Sequence, residues 1–184
     1  MSATPTRLRR GKNSAFISVD VAGADGVGLR ALFLFMAERE STISFRSLPP
    51  PDFALDGTTI ADPQSLPEGF LRQFDVTTWQ SADGAIRAWR RLKDADALDA
   101  DVALMCIADA LAPAAMSLIK GWGPISTTTW QLNLIAPPET RDGWWLLEAV
   151  TLVARNGHPS QTMTIWNRDG AAVATATQSV ALFV

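Results

Sequence analysis

Residues 101–120 read DVALMCIADALAPAAMSLIK, and between Asp101 and Lys120 the one side chain of a charged type is Asp109. Every other residue there is Val, Ala, Leu, Met, Cys, Ile, Pro or Ser. A helix that is apolar on all sides belongs inside a protein rather than on its surface. A carboxylate in that setting has to be hydrogen-bonded or neutralised, because an unpaired charge in apolar surroundings is costly and shifts its pKa. Pro113 adds a second constraint: in a continuous helix its ring would remove the backbone bond to the carbonyl of Asp109 and kink the chain. A broken helix is the better reading, with Pro113 opening a short second segment where a missing N–H costs nothing. Asp109 then stands beside a backbone irregularity in a buried helix. Two roles stay open for it on these residues alone. One is structural, capping the second segment or bonding a neighbouring strand; the other is chemical. A membrane span is set aside, since the window barely reaches the required length and holds both Asp and Pro.

At 184 residues the chain is long enough to bury a substantial core. A net charge of −3 offers no electrostatic footprint for nucleic acid. The composition is 47% hydrophobic and 19% charged, which points to sheet buried on one face or against a partner. The single cysteine, Cys106, cannot form an internal disulfide and favours a reducing compartment. The N-terminus MSATPTRLRRGKNS is basic without an apolar run behind it, so the protein reads as cytoplasmic, with no membrane partner. One histidine, His158, excludes a multi-histidine metal site, and it lies in the turn sequence RNGHP, where a solvated loop residue is expected. Cys106 reads as a small core residue.

Outward from the central stretch, alternation and turn residues define the remaining elements. Ser14–Val21 and Gly28–Met36 read as strands around the turn Gly23–Gly26, and a short run at Thr42–Arg46 completes a three-stranded meander without a helix. Residues 48–68, opened by Pro49–Pro51, read as a linker. Phe70–Trp79 reads as a strand and Ala85–Lys93 as another, with helix an alternative for the second because of Arg87, Arg90 and Arg91. After the stop signal GWGP, Ile125–Ile135 is a strand with Trp130, Leu132 and Leu134 on one face and Thr127, Thr129, Gln131 and Asn133 on the other. Trp144–Ala154, Gln161–Trp166 and Ala172–Val184 complete four strands. The fold class is therefore α+β, an antiparallel sheet curled around one central helix. Strand, Asp-Gly turn, strand recurs at Asp25-Gly26 and at Asp169-Gly170, a repeat of pattern without a repeat of sequence.

The runs IADALAPA, TTTWQLNLIAPP, DGWWLLEA and NRDGAAVATATQ resemble, in order and spacing, the second hot-dog of the acyl-CoA thioesterase II type, a double-hot-dog family. LRRGKNSAFISVDVAGADG and GLRALFLFMA resemble the closing strands of that family's first hot-dog. The resemblance spans nearly the whole chain. It implies an incomplete double hot-dog: a partial first hot-dog at 1–47, the linker at 48–68 and a complete hot-dog at 69–184. It also implies hydrolysis of an acyl-CoA thioester by a water held between three side chains, which match Asp109, Thr127 and Gln178 here. A carboxylate accepts a proton from that water, while Thr and Gln orient it without competing as nucleophiles. Backbone N–H groups near a helix start can stabilise the developing oxyanion. No cofactor or metal is implied.

Three departures from the family pattern stand out. The first hot-dog lacks its opening strand and helix ahead of Ser14, which leaves an apolar sheet face: either the chain is a fragment or a second copy covers that face, and a homo-oligomer is expected. Thr129 and Ser179 stand where the family carries acidic residues. A non-catalytic acyl-CoA-binding or structural hot-dog protein is the alternative. The two are separated by whether Asp109, Thr127 and Gln178 reach one water beside an open cleft or point to different faces of the sheet. Among the tryptophans Trp122, Trp130, Trp144, Trp145 and Trp166, core and interface packing is expected for most, with an acyl tunnel wall as the other role. Arg7, Arg9, Arg10 and Lys12 could meet the phosphates of coenzyme A, though a basic strand start is ordinarily just solvated.

Overall fold

The computed structural model describes residues 1–55, 61, 69–77, 80–121 and 123–183. They form two compact units, Met1–Arg46 and Ser47–Val184.

The first unit is an antiparallel meander of β1 (Ser2–Arg10), β2 (Ser14–Gly23) and β3 (Gly26–Met36). Its third strand is not the expected run at 42–46, which has no strand pairing; it is β1, ahead of Ser14, where no strand was expected. The sequence SATPTRLRR hides it because it is an edge strand: Pro5 and three arginines are tolerated there and discourage further pairing. Gly26, at φ 105°, closes the β2–β3 hairpin in a conformation that favours glycine. Arg30 grips Asp20 through two hydrogen bonds of 2.6 and 2.8 Å across that pair.

The second unit is a seven-stranded antiparallel sheet around one helix. Its strands are β4 (Phe74–Val76), β5 (Gln80–Ala82), β6 (Ala85–Leu92), β7 (Ile125–Leu134), β8 (Trp144–Val153), β9 (Ser160–Asn167) and β10 (Ala172–Leu182). They pair in the order β4-β6-β8-β9-β10-β7, with β5 also on β6. Residues 85–92 are strand, so the arginines there do not make a helix. The expected strand at 70–79 is instead a 3-10 turn at Phe70–Gln73 followed by β4, and its last two residues, 78 and 79, lie outside the described residues.

The helix α1 (Ala100–Ala108) is shorter than the apolar run, and Asp99 caps its start by accepting from the N–H of Asp101. It ends at Asp109, and Pro113 precedes a 3-10 segment, Ala114–Leu118, so the helix is broken as read from the sequence. Leu104, Ile107 and Ala108 are buried in one cluster with Phe74, Ile86, Ala88, Trp145, Leu147, Ile165 and their neighbours. Each fully buried aliphatic side chain there contributes about 1.5–3 kcal/mol. The helix is not buried all round, however: Ala100, Asp101 and Val102 are exposed.

The sheet's outer face carries a second cluster, Trp89, Trp144, Leu146 and Trp166, against which Phe53 and Leu55 pack. Two indole N–H groups tie down the strap that covers it, Trp89 donating to the Phe53 carbonyl at 3.0 Å and Trp166 to the Leu48 carbonyl at 3.1 Å. Part of the stretch read as a linker is thus packed, and residues 56–60 and 62–68 of it lie outside the described set. Trp144 and Trp166 serve this cluster, Trp145 and Trp130 the inner one, and Trp122 lies outside the described residues. Among the described residues no helix is long and apolar enough to cross a membrane.

Candidate active site

Strand register arranges the inner face of the second unit in rows. Ala88, Leu147, Ile165, Ala174 and Leu134 face one another across five strands, and so do Ile86, Ala149, Met163, Ala176 and Leu132. The next row is polar. Thr151 on β8 pairs with Gln161 on β9, and Gln161 pairs with Gln178 on β10. Gln178 lies opposite Trp130 on β7.

Thr127 joins this row through a β-bulge. Strict alternation puts it on the face opposite Trp130, as expected from the sequence. In the structure Ser179 pairs with Thr129 but Val180 pairs with Thr127, leaving Thr128 as the extra residue. One extra residue reverses the parity of everything beyond it. Thr127 therefore shares the inner face with Gln178 and Val180, which corrects the face assignment made by alternation. Thr128 turns its hydroxyl to the Ser179 carbonyl at 3.1 Å.

Hydrogen bonds link Ala114, Gln161, Gln178 and Thr127 in series. The backbone N–H of Ala114 donates to Oε1 of Gln161 at 2.7 Å. Nε2 of Gln161 donates to Oε1 of Gln178 at 2.5 Å, and Nε2 of Gln178 donates to Oγ1 of Thr127 at 2.8 Å. Gln161 is 2% exposed and Gln178 7%, whereas Thr127 is exposed, so the chain of bonds runs from the core to solvent. Two buried polar atoms of the row have no partner among the described residues, the Thr151 hydroxyl and the Trp130 indole N–H. Sequence reasoning singled out Thr127 and Gln178 but missed Gln161, although a lone Gln at the head of an otherwise Thr- and Met-bearing strand was a visible signal.

Asp109 sits at the C-terminal end of α1 with no hydrogen bond or ion pair to its side chain among the described residues. It is exposed, not enclosed in the helix as expected, because α1 stops one residue before it. Even so, the protein around it removes enough water to raise its pKa above the ordinary 3.8. The structure bonds Thr127 to Gln178 and gives Asp109 a bond to neither.

The backbone just past Asp109 is held by Arg90, which is 2% exposed. Its guanidinium donates to the carbonyls of Ala110 at 3.1 Å, Trp89 at 2.9 Å and Thr77 at 3.4 Å. Burial pulls its pKa down to about 10, still well above neutral, so a cation pins the turn that presents the carboxylate. A cleft of about 340 Å³ opens where residues 116–121 cross β5 and β6, lined by Ser81, Ile86, Met116, Ser117, Ile119 and Lys120. Asp109, Thr127 and Gln178 do not line it. Among the described residues no group of three or more His, Cys, Asp or Glu side chains is placed to hold a metal ion.

Solved structures share this architecture at low sequence identity. A hot-dog-fold protein from Alicyclobacillus acidocaldarius is 20% identical with a TM-score of 0.82, over 99% of this chain and 72% of that one. A tesB protein from Mycobacterium avium subspecies paratuberculosis is 16% identical with a TM-score of 0.73, over 99% and 71%. An acyl-CoA thioesterase II from Mycobacterium marinum is 16% identical with a TM-score of 0.72, over 98% and 73%. The fold of this chain is the hot-dog fold. Among curated protein sequences none matches it. Residues 47–182 match the model of the acyl-CoA thioesterase C-terminal domain, and the chain belongs to that family.

Proposed function

We propose that the protein hydrolyses acyl-CoA thioesters, with Asp109 as general base and with Thr127 and Gln178 holding the attacking water. One observation carries the reading: a Gln donates to a solvent-facing Thr at one end of the inner sheet face, built there by a bulge that costs the sheet a regular ladder. The family membership supplies the substrate class. The raised pKa of Asp109 suits a base, which must be ionised yet retain affinity for a proton.

In this mechanism the water oxygen forms a bond to the thioester carbonyl carbon while one water proton passes to Asp109. The carbonyl π electrons move onto its oxygen, where backbone N–H groups near a helix start stabilise the negative charge that gathers there. Collapse of the tetrahedral species breaks the C–S bond, and the departing thiolate takes the proton from Asp109. The products are the free carboxylic acid and the thiol of coenzyme A. The expected homo-oligomer, and the assignment of residues 1–47 to part of a further hot-dog, belong to the same proposal. They are supported by apolar side chains exposed on β3, including Leu29, Leu32, Leu34 and Phe35.

Release of free thiol from a panel of acyl-CoAs, short to long, beside an Asp109→Asn variant of intact fold, tests the reading. Turnover that collapses in the variant supports both reaction and base. Turnover that survives it keeps the hydrolase and removes Asp109 as base. No turnover with any chain length, together with retained binding of acyl-CoA, would establish the non-catalytic reading.

A further inference from the structure

We propose that Gln161 is a positioning residue that sets the direction of hydrogen bonding at the proposed hydrolytic site, so that Thr127 offers a proton to a solvent-side water rather than accepting one. The inference rests on the thioesterase reading above and adds a residue to it.

The argument turns on which groups can only donate. The Ala114 N–H is a backbone donor with no lone pair to offer, so the Gln161 carbonyl oxygen has to face it. That leaves the Gln161 amide nitrogen toward Gln178, which must answer with its own oxygen. The Gln178 nitrogen is thereby turned to Thr127, whose oxygen accepts. Each amide orientation, ordinarily ambiguous, is dictated by the one before it. The series ends with a Thr127 hydroxyl hydrogen that no described residue takes, on an exposed side chain. Nothing about Thr127 or Gln178 themselves forces this sense; reversed, Gln178 would present its oxygen and Thr127 would donate its hydrogen to it. Thr127 could then only accept from a water, competing with Asp109 for the water's proton.

A Gln161→Glu variant tests the direction because its own ionisation reverses it. In the neutral form the introduced carboxyl accepts from Ala114 and donates its O–H to Gln178, which preserves the sense. The ionised carboxylate can only accept, so the Gln178 amide must turn over. The parent assayed at each pH cancels every other ionisation. β7, β9, β10 and residues 114–118 contribute no titratable side chain. Glu148 of β8 is bonded to Arg87 on the outer face, and Asp109, Lys120, Arg155 and His158 are exposed in the parent.

The expected result is a ratio of variant to parent kcat near one at low pH that falls about 10²-fold through one new ionisation, while KM changes less than about threefold. Circular dichroism marks the pH range in which the variant is folded. A Gln161→Met variant, neutral at every pH, lets Gln178 take either orientation and is expected to lower kcat about tenfold without pH dependence. A kcat ratio that stays flat with pH in Gln161→Glu, or a parent-like kcat in Gln161→Met, overturns the proposal. If the parent itself turns over no acyl-CoA, the thioesterase reading fails by itself. The direction then stands on nuclear Overhauser contacts of the Gln178 amide protons: contacts to Thr127 support it, and contacts to residue 161 in the parent overturn it.

Discussion

Asp109 concentrates the residue-scale chemistry in one group. Its carboxyl has a raised pKa from lost solvation and no hydrogen-bond partner among the described residues, so its ionised form is disfavoured by folding. The linkage has a definite sign. The folded protein binds this proton more tightly than the unfolded chain, so the penalty is absent below the ordinary 3.8 and fully present above the folded pKa. Asp109→Asn is therefore expected to raise the melting temperature slightly at neutral pH, with the gain shrinking as pH falls through the folded pKa; calorimetry at neutral and acid pH checks it. Activity moves the opposite way. As the proposed general base the residue would be worth about 10²–10⁴-fold, so the same substitution should lower kcat by that order. The kcat/KM of the parent should rise with pH along a limb whose midpoint lies above 3.8. A variant both more stable and inactive is the signature of a strained functional group. The sequence pointed to this residue, since a single side chain of a charged type in a long apolar run needs a reason. It did not show how exposed the group is, because where a helix ends depends on the packing of its last turn and not on composition alone.

At the scale of elements, the end of α1 leaves Asp109 exposed and the bulge in β7 turns Thr127 to the inner face. Arg90 of β6 reaches through the core to the Ala110 carbonyl and so fixes the turn that follows the helix. Arg90→Met keeps most of the volume and removes a buried charge, yet leaves carbonyl groups without donors. It is expected to cost about 1–3 kcal/mol and to lower kcat through a loosened Asp109. Denaturant unfolding and steady-state kinetics on one preparation check both parts. Ile107→Ala opens a cavity beneath α1 and should cost about 2–5 kcal/mol, measured the same way. The arginine triplet Arg87, Arg90 and Arg91 looked ambiguous between helix and strand from sequence. On a strand, Arg87 and Arg91 fall to the outer face, where Arg87 bonds Glu148 and Arg91 bonds Asp75 at 2.8 and 2.7 Å. Arg90 alone turns inward, and a buried cation is the feature that local sequence rules anticipate least.

For the whole molecule, the consequence lies in surface left uncovered. Val27, Leu29, Leu32, Leu34, Phe35 and Met36 of β3 are all exposed, more apolar side chains than one strand ordinarily leaves to water. The proposed oligomer is expected to sediment above the mass of one chain, and Leu32→Glu combined with Leu34→Glu to shift it toward the monomer. A monomeric parent at micromolar concentration would remove that part of the proposal.

The sequence by itself determined what depends on neighbours along the chain. Alternation placed β2, β3 and the strands from β7 onward; Pro113 and the GWGP turn bounded the helix segments; and the resemblance of its segments to the acyl-CoA thioesterase II type gave the expected hot-dog and the candidates Asp109, Thr127 and Gln178. Tertiary structure decided what depends on neighbours across the sheet. A bulge is a relation between two strands, so the face of Thr127 could not be read from β7 alone. The bonds of Gln161 exist only through its register with Gln178 and its reach to Ala114, 47 residues away in the chain. β1 escaped notice because an edge strand carries no apolar alternation to betray it. Periodicity reports burial on one side of one segment, whereas hydrogen-bond direction and strand parity are set only when segments meet.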